Sequence, residues 1–267
     1  MADADSGHAT DTDATARQAA EVAVELTEAG GEQERQRAAR GLRGVADRAS
    51  SAVTHVAVSA RRRAGSAGRG YTSVRGWLNA QVLAMGPRLR IRDQATLRKQ
   101  FQGRSDDEIG QLLIERAARA TAAVGAATGV WAALPSLPAF PAEVAAETLA
   151  VVGIEIKLVA ELHEIYGMPA EGNATERARA YIGSWATRQG VHAVEGGLVI
   201  VAGSPLARAL TRRLARRARQ TTFSLAPLFT GAVAGAMLNR RETRRLGRHI
   251  RDDLRRHGRT YTATVVR

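Results

Sequence analysis

The sequence Ser105-Asp-Asp-Glu-Ile-Gly-Gln-Leu-Leu-Ile114 begins an apolar block, rich in alanine and glycine, that extends to Gly247 between two arginine-rich segments. Ser105 and Glu108 have the spacing of a capping box, in which a hydroxyl and a carboxylate satisfy the free backbone donors at the start of a helix. The helix that begins here is predicted to run to about residue 134, because Pro135 cannot continue it. This block carries the clearest helical pattern of the chain and therefore decides its fold.

Start and stop signals predict further helices within the block. Gly167 ends one helix, Asn173 caps the next with Glu176 in the capping-box position, and Ser204-Pro205 is a good start for another. These predicted helices cover about 142–166, 174–189, 205–220 and 228–256. Alanine, arginine, leucine and glutamate favour helices, and extended β-branched runs are scarce. We therefore predict an all-α fold with a compact multi-helix core.

The residues before the block predict an acidic head followed by a basic helical arm. Residues 1–13 are polar and acidic, which is typical of disorder, and residues 14–29 predict a short helix. Residues 33–63 predict a basic helix whose weak apolar stripe favours a coiled-coil-like partner or a membrane surface. A flexible basic linker, 61–70, and one or two short helices within 71–102 follow. The stripe consists of Ala38, Leu42, Val45, Ala49, Ala52 and Val56.

Composition and charge divide the chain into four parts. They are an acidic head (1–31), a basic helical arm and linker (32–104), a helical core (105–256) and a basic tail (257–267). The net charge of +13 combines about −8 in residues 1–34, about +14 in 35–104, about −5 in 105–210 and about +12 in 211–267. Basic segments of this size bind polyanions or anionic membranes, and the acidic head could also fold back on one of them.

The absence of cysteine excludes disulfide bonds and thiolate catalysis and suits a reducing compartment. The first residues are acidic and lack the basic and apolar regions of a signal peptide. We therefore expect a cytoplasmic protein without a cleaved signal peptide. The best candidate for a membrane-spanning segment, the uncharged residues 222–238, is too short and too rich in alanine and glycine to span a bilayer, so we expect it to be buried or interfacial.

Residues 205–220 predict a basic amphipathic helix of the kind found at anionic membranes or on polyanions. One side carries Leu206, Leu210, Leu214 and Ala218. The other side and its boundary carry Arg208, Arg212, Arg213, Arg216, Arg217 and Arg219. These arginines, with Arg61, Arg62 and Arg63 of the linker, are the predicted lipid- or polyanion-binding residues. The alternative is that the leucines lie in the core and the arginines are simply solvated.

Small residues recur at every fourth position in two helices, which is the spacing of a helix-packing ridge. Gly231, Gly235 and Asn239 form one ridge, and Gly125 and Gly129 form a second. Because small residues allow two backbones to approach closely, we expect the two ridges to face each other. Asn239 is then expected to form hydrogen bonds across the contact.

The helix over 142–166 carries carboxylates beside a histidine, which raises the question of a metal or an acid/base pair. The candidates are Glu155, Glu161, His163 and Glu164, but their spacing matches neither HExxH nor the ExxH of di-iron proteins. Lys157 lies one turn before Glu161 and is expected to neutralise it. The alternative is a solvated polar face, or salt bridges to the basic segments. We assign no catalytic residue and no metal ligand, and we expect no cofactor.

Several short motifs of the core occur in an order and at a spacing that resemble those of a known protein family. They are Ala117–Gly129, a proline-broken turn, Ile165-Tyr-Gly167 and Pro227–Asn239. Together they resemble the EcsC-like bacterial family over about 105–256, and the first 100 residues lie outside the resemblance. The family is loosely associated with secretion and the membrane, and it has no defined biochemical activity from which catalytic residues could be carried over. The resemblance implies structural, helix-packing roles for Tyr166, Gly167, Gly231, Gly235 and Asn239.

Three hypotheses of function follow from the sequence. The leading hypothesis is a non-enzymatic, peripheral membrane-associated protein whose partner is an anionic membrane surface or a membrane protein complex. An accessory role in transport or secretion belongs to this hypothesis. The contact would come from the arginine helix and the 33–63 helix. The second is binding of nucleic acid or another polyanion, although the basic arm has few aromatic residues for stacking. The third is a metal-dependent hydrolase. The sequence leaves the ligand, the partner and the oligomeric state open.

Overall fold

In a computed structural model, every regular element of the described chain is helical, which confirms the all-α prediction. The structure describes residues 3–29, 33, 37, 40–49, 67–131, 140–188, 205–222 and 230–265. The helices are α1 (Asp3–Glu28), α2 (40–49), α3 (Ala67–Met85), α4 (Gln94–Gln100), α5 (Asp106–Trp131), α6 (Phe140–Ile165), α7 (Ala174–Arg188), α8 (Pro205–Thr222) and α9 (Thr230–Val265), with a short 3-10 turn, Gly86–Arg88, after α3.

The predicted capping boxes begin α5 and α7. The Ser105 backbone N–H donates to Glu108 Oε2 at 2.8 Å, and the Glu108 N–H donates back to Ser105 Oγ at 3.3 Å. Asn173 Oδ1 accepts from the N–H groups of Thr175 and Glu176, while the Glu176 carboxylate accepts from the Asn173 N–H at 2.8 Å. These reciprocal bonds satisfy the backbone donors that each helix start leaves free.

Gly167 ends α6 as predicted. Its φ of +71° lies in the left-handed region, where glycine carries no steric penalty. The N–H groups of Gly167 and Met168 donate to the carbonyls of Glu164 and His163 at 3.1 and 2.9 Å. Tyr166, the preceding residue, donates its hydroxyl proton to Asp107 Oδ1 at 2.6 Å and so ties the end of α6 to the start of α5.

Helix α6 lies at the centre of the fold. Every residue from 145 to 162 is buried, and the helix contacts α1, α3, α4, α5, α7, α8 and α9. A helix that is buried all round is normally apolar, yet α6 carries Glu147, Glu155, Lys157 and Glu161. The alternative of a solvated polar face was therefore wrong, and these charged side chains must be paired inside the protein.

Helices α5 and α9 pack antiparallel, from Gly125 beside Gly235 to Asp107 beside Arg255, and the two predicted ridges meet there. A Cβ atom added to Gly125 would lie 2.6 Å from the carbonyl oxygen of Gly235, so the backbones are in close contact. Asn239 Nδ2 donates to the Thr121 carbonyl at 3.3 Å and to Glu147 Oε1 at 3.0 Å. The prediction of facing ridges bridged by Asn239 is confirmed; the surroundings of Gly129 and Gly231 lie outside the described residues.

The N-terminal helices join the same apolar cluster as α6. Val22 and Leu26 of α1, Leu42 and Val45 of α2 and Leu78 of α3 are buried in it. The described part of the predicted stripe of α2 is therefore covered by the protein itself. The hydrophobic core is continuous from the head and the arm into the block that begins at Ser105.

Three helix boundaries differ from the prediction. Helix α1 begins at Asp3, earlier than the predicted start at residue 14. Residues 67–70 begin α3 instead of belonging to a flexible linker. Helix α9 continues past its predicted end at residue 256 to Val265 and so includes most of the basic tail. No proline lies in this segment to interrupt the helix.

Candidate functional site

Glu161 of α6 holds together a buried ion cluster. The Arg92 guanidinium donates to both carboxylate oxygens, Nε to Oε1 at 2.8 Å and Nη2 to Oε2 at 2.7 Å. Lys157, which is fully buried, donates to Glu161 as predicted and to the Arg90 carbonyl at 2.6 Å. Glu28 of α1 lies 3.2 Å from the Lys157 ammonium. The acidic helix therefore holds the basic arm through Arg92, and the acidic head folds back onto the same cluster.

The pKa of Glu161 lies below its ordinary value of 4.5. Burial acts in the opposite direction, but the hydrogen bonds and charges of Arg92 and Lys157 outweigh it. Conversely, the pKa of Arg92 is raised: burial opposes the shift, and the Glu161 carboxylate overcomes it. Both shifts have the same meaning, namely that the charged forms of the pair are the stable ones in the folded protein.

The lowered pKa predicts a specific pH dependence of stability. A carboxyl whose folded pKa is depressed contributes stability that is present above its unfolded value and is lost as pH falls through the folded value. We therefore expect the free energy of unfolding to fall as the pH drops below about 4.5, measured by urea denaturation at a series of pH values. The fall should be smaller in E161Q, which lacks this group; equal slopes in both proteins would contradict the prediction.

Glu155 organises a second buried cluster, one and a half turns earlier on α6. Its Oε2 accepts from Trp185 Nε1 at 2.8 Å and from Arg213 Nη1 at 3.0 Å, and its Oε1 accepts from Thr243 Oγ1 at 3.0 Å. These donors come from α7, α8 and α9. One carboxylate therefore connects three surrounding helices to α6.

The four residues considered as metal ligands do not converge. Glu155 and Glu161 belong to the two separate clusters, and Glu164 accepts from Arg177 of α7. His163 Nδ1 lies 2.7 Å from the Val159 carbonyl, and burial, followed by the charge of Arg188, lowers its pKa. Within the described ranges, no three His, Cys, Asp or Glu side chains are grouped for a metal ion. The geometry therefore gives no support to a metal-dependent hydrolase.

The arginine helix, α8, is amphipathic, but its apolar side is covered. Leu206, Leu210 and Leu214 are buried. Arg213, predicted to bind lipid or polyanion, is buried against Glu155, so this assignment is corrected. Arg208 and Arg212 are exposed. The side chains of Arg216, Arg217 and Arg219, and the linker residues Arg61, Arg62 and Arg63, lie outside the described residues.

A row of exposed cationic side chains lies on α9, and we call it the α9 face. It consists of Met237, Arg241, Arg245 and Arg248, which fall within about 80° of one another on the helix. The three arginines are exposed, and no carboxylate among the described residues pairs with them. Met237 is 67 % exposed, and Val233, one turn before it, is 53 % exposed.

Four other arginines of α9, namely Arg244, Arg251, Arg255 and Arg256, have partners among the described residues. Arg244 donates to Glu115 at 3.0 Å, Arg251 to Gln111 at 2.6 Å, and Arg255 lies 3.0 Å from Asp107. Arg256 pairs with Asp253. The sequence alone could not separate these residues from the α9 face, because both sets have the same residue type and differ in whether the fold or the helix itself places a polar partner beside them.

No helix in the described ranges is long and apolar enough to cross a membrane. No family model matches the chain, and no curated protein or solved structure was found to be similar to it. The resemblance of residues 105–256 to the EcsC-like family therefore stays a prediction.

Proposed function

We propose that this protein is a non-enzymatic, peripheral membrane-associated protein that binds anionic bilayers through the α9 face. The observation that carries the proposal is the continuity of exposed apolar and cationic side chains along one side of α9. Met237 and Val233 are exposed where the helix begins, and Arg241, Arg245 and Arg248 follow on the same side. Helices that lie on anionic membranes combine these two kinds of side chain.

The expected energy of this contact is mainly electrostatic. A basic side chain close to an anionic bilayer contributes about 1 kcal/mol, and the attraction decays within a Debye length of about 8 Å at physiological salt. Three arginines would therefore give reversible binding that salt weakens. Met237 and Val233 add a smaller apolar contribution, because part of each side chain is already covered by the protein.

The proposed contact differs from the one expected from the sequence. The 33–63 helix and the arginine helix were expected to place apolar stripes on the membrane. The protein core instead contains the apolar residues of both helices. They are Leu42 and Val45 of the 33–63 helix and Leu206 and Leu210 of the arginine helix. The proposal therefore rests on α9. The resemblance to the EcsC-like family agrees with it and suggests an accessory role in transport or secretion.

Vesicle flotation tests the proposal. The full chain is floated with vesicles of phosphatidylglycerol and phosphatidylcholine, and with pure phosphatidylcholine vesicles, across a salt series. We expect binding to the anionic vesicles that decreases as salt rises, and little binding to the neutral ones. Neutralising two arginines in R241Q/R248Q should weaken the partition coefficient about 30-fold, since each is expected to contribute about 1 kcal/mol.

The matched control is K99Q/R179Q, which removes two exposed positive charges from α4 and α7. It should bind the anionic vesicles nearly as well as the wild type, because its charges lie on other helices. Equal weakening by both double variants would show that net charge alone drives binding and would overturn the assignment to α9. A gel shift with random duplex DNA is run in parallel; retention of DNA without flotation would overturn the membrane proposal in favour of nucleic-acid binding.

A further inference from the structure

A groove of about 380 Å³ lies between the end of α1 and the adjoining sides of α5 and α9. Arg116 and Arg119 of α5 and Arg240 of α9 line it, and Thr27 of α1 and several alanines complete its described wall. The wall contains three guanidinium groups and no carboxylate. It is separate from the α9 face, which uses other arginines.

None of these three arginines forms a salt bridge with a described carboxylate, although Glu115 acts electrostatically on Arg119 and Arg240, and Glu161 and Glu28 act on Arg116. The nearest carboxylates already have other cations. Glu161 is held by Arg92 and Lys157, Glu28 lies against Lys157, and Glu115 accepts two hydrogen bonds from Arg244 Nε at 3.0 and 3.1 Å. The cations around the groove therefore outnumber the carboxylates, and the groove carries a local excess of positive charge.

Arg116 is the most constrained of the three. It is half-buried, and its guanidinium lies over the ring of Phe101 at 4.8 Å from the ring centre, which fixes its direction. Its pKa is lowered, first by burial and then by the positive charges of Arg92 and Arg119, which outweigh the opposite effect of Glu161 and Glu28. A half-buried arginine that faces like charges is stabilised when an anion enters beside it.

We propose that this groove binds a single phosphate group, held by Arg116, Arg119 and Arg240. Arginine is suited to this task because its planar array of donors matches phosphate oxygens in a bidentate manner. Thr27 adds a hydroxyl to the wall, although in the structure it donates to the Ala23 and Val24 carbonyls at 2.9 Å. The phosphate could belong to a soluble phosphate ester or to a phospholipid headgroup. The proposal does not depend on membrane association through the α9 face.

Calorimetric titration tests the proposal. The full chain is titrated with inorganic phosphate, and sodium chloride keeps the ionic strength constant. We expect saturable binding with one site per chain. The variant R119Q/R240Q changes two exposed residues and should fold normally, which its thermal unfolding curve will check. It should weaken phosphate binding at least about tenfold, because hydrogen bonds to a charged group are among the strongest that proteins form. R116Q should weaken it by a similar factor.

The matched control is K99Q/R179Q, which removes the same charge from α4 and α7, outside the groove. Its dissociation constant for phosphate should stay within about twofold of the wild type, because exposed charges farther away are screened. A second titration uses dibutyryl phosphatidic acid below its micellar concentration. Equal affinity for both probes would support a free phosphate ester as the ligand, and much tighter binding of the lipid would support a headgroup.

Absence of saturable phosphate binding by the wild type would overturn the proposal. Equal weakening in R119Q/R240Q and K99Q/R179Q would also overturn it, since binding would then follow net charge. Because phosphate is titrated in solution without vesicles, failure here leaves the flotation result intact, and failure of flotation leaves the groove proposal intact.

Discussion

Replacing Glu161 by glutamine is expected to lower the free energy of unfolding by about 3–5 kcal/mol, the cost typical of removing one partner from a buried ion pair. Glutamine keeps the size of the side chain but removes its charge. Arg92, which donates to both Glu161 oxygens, and the fully buried Lys157 would then share only Glu28 as a counter-charge. Urea denaturation followed by circular dichroism at neutral pH measures the loss.

The control for this experiment is D252N, the same chemical change at an exposed carboxylate. Asp252 lies 3.4 Å from Arg251, and its side chain is 52 % exposed. An exposed ion pair typically contributes about 0–1 kcal/mol, so D252N should unfold at nearly the wild-type urea concentration. If E161Q lost less than about 1 kcal/mol, Arg92 and Lys157 would have to be solvated, and the central position of α6 would be contradicted.

Gly125→Ala is expected to destabilise the protein by about 2–4 kcal/mol, even though alanine is the better helix former by about 1 kcal/mol. The added methyl group would lie 2.6 Å from the Gly235 carbonyl oxygen and 2.7 Å from Asn239 Nδ2. The first neighbour is backbone and cannot rotate away, so α5 and α9 must separate. Separation would also weaken the hydrogen bonds that Asn239 donates to Thr121 and Glu147.

Gly183→Ala provides the matched control for this substitution. Gly183 lies in the middle of α7, and a Cβ atom there would have no other atom within 4 Å. Only the helix propensity then changes, so G183A should gain about 0.5–1 kcal/mol in unfolding free energy. A gain in both variants would mean that the α5 and α9 backbones are not in close contact at Gly125.

The local features of the fold could be predicted from the sequence because each depends on residues within one or two helical turns. The capping boxes at Ser105 and Asn173 and the stop at Gly167 are of this kind. So is the pair of Lys157 and Glu161, whose side chains are neighbours on any α-helix. The ridge contact was predictable for a related reason, since small residues at every fourth position mark the side of a helix that another backbone can approach.

Whether a charged side chain is buried in an ion pair or exposed to solvent could not be predicted in the same way. Arg92 and Arg213 lie 69 and 58 residues from the glutamates that they bind. In the sequence they resemble Arg241 and Arg248, which remain exposed. The hydrophobic periodicity of α8 correctly identified its apolar side. It did not identify the protein core as the surface that covers the leucines of that side. Periodicity identifies an apolar side and carries no information about whether protein or membrane covers it.

By itself, therefore, the sequence determined the helical class, most helix boundaries, the closest helix contact and the overall excess of positive charge. Only the tertiary structure decided that α6 is central, that its carboxylates bind the basic arm and α8, and that Arg116, Arg119 and Arg240 come together in one groove. The physical reason is that periodicity, capping and residue size act over a few residues along the chain. Burial and the pairing of charges depend on which distant segments the folded core brings together.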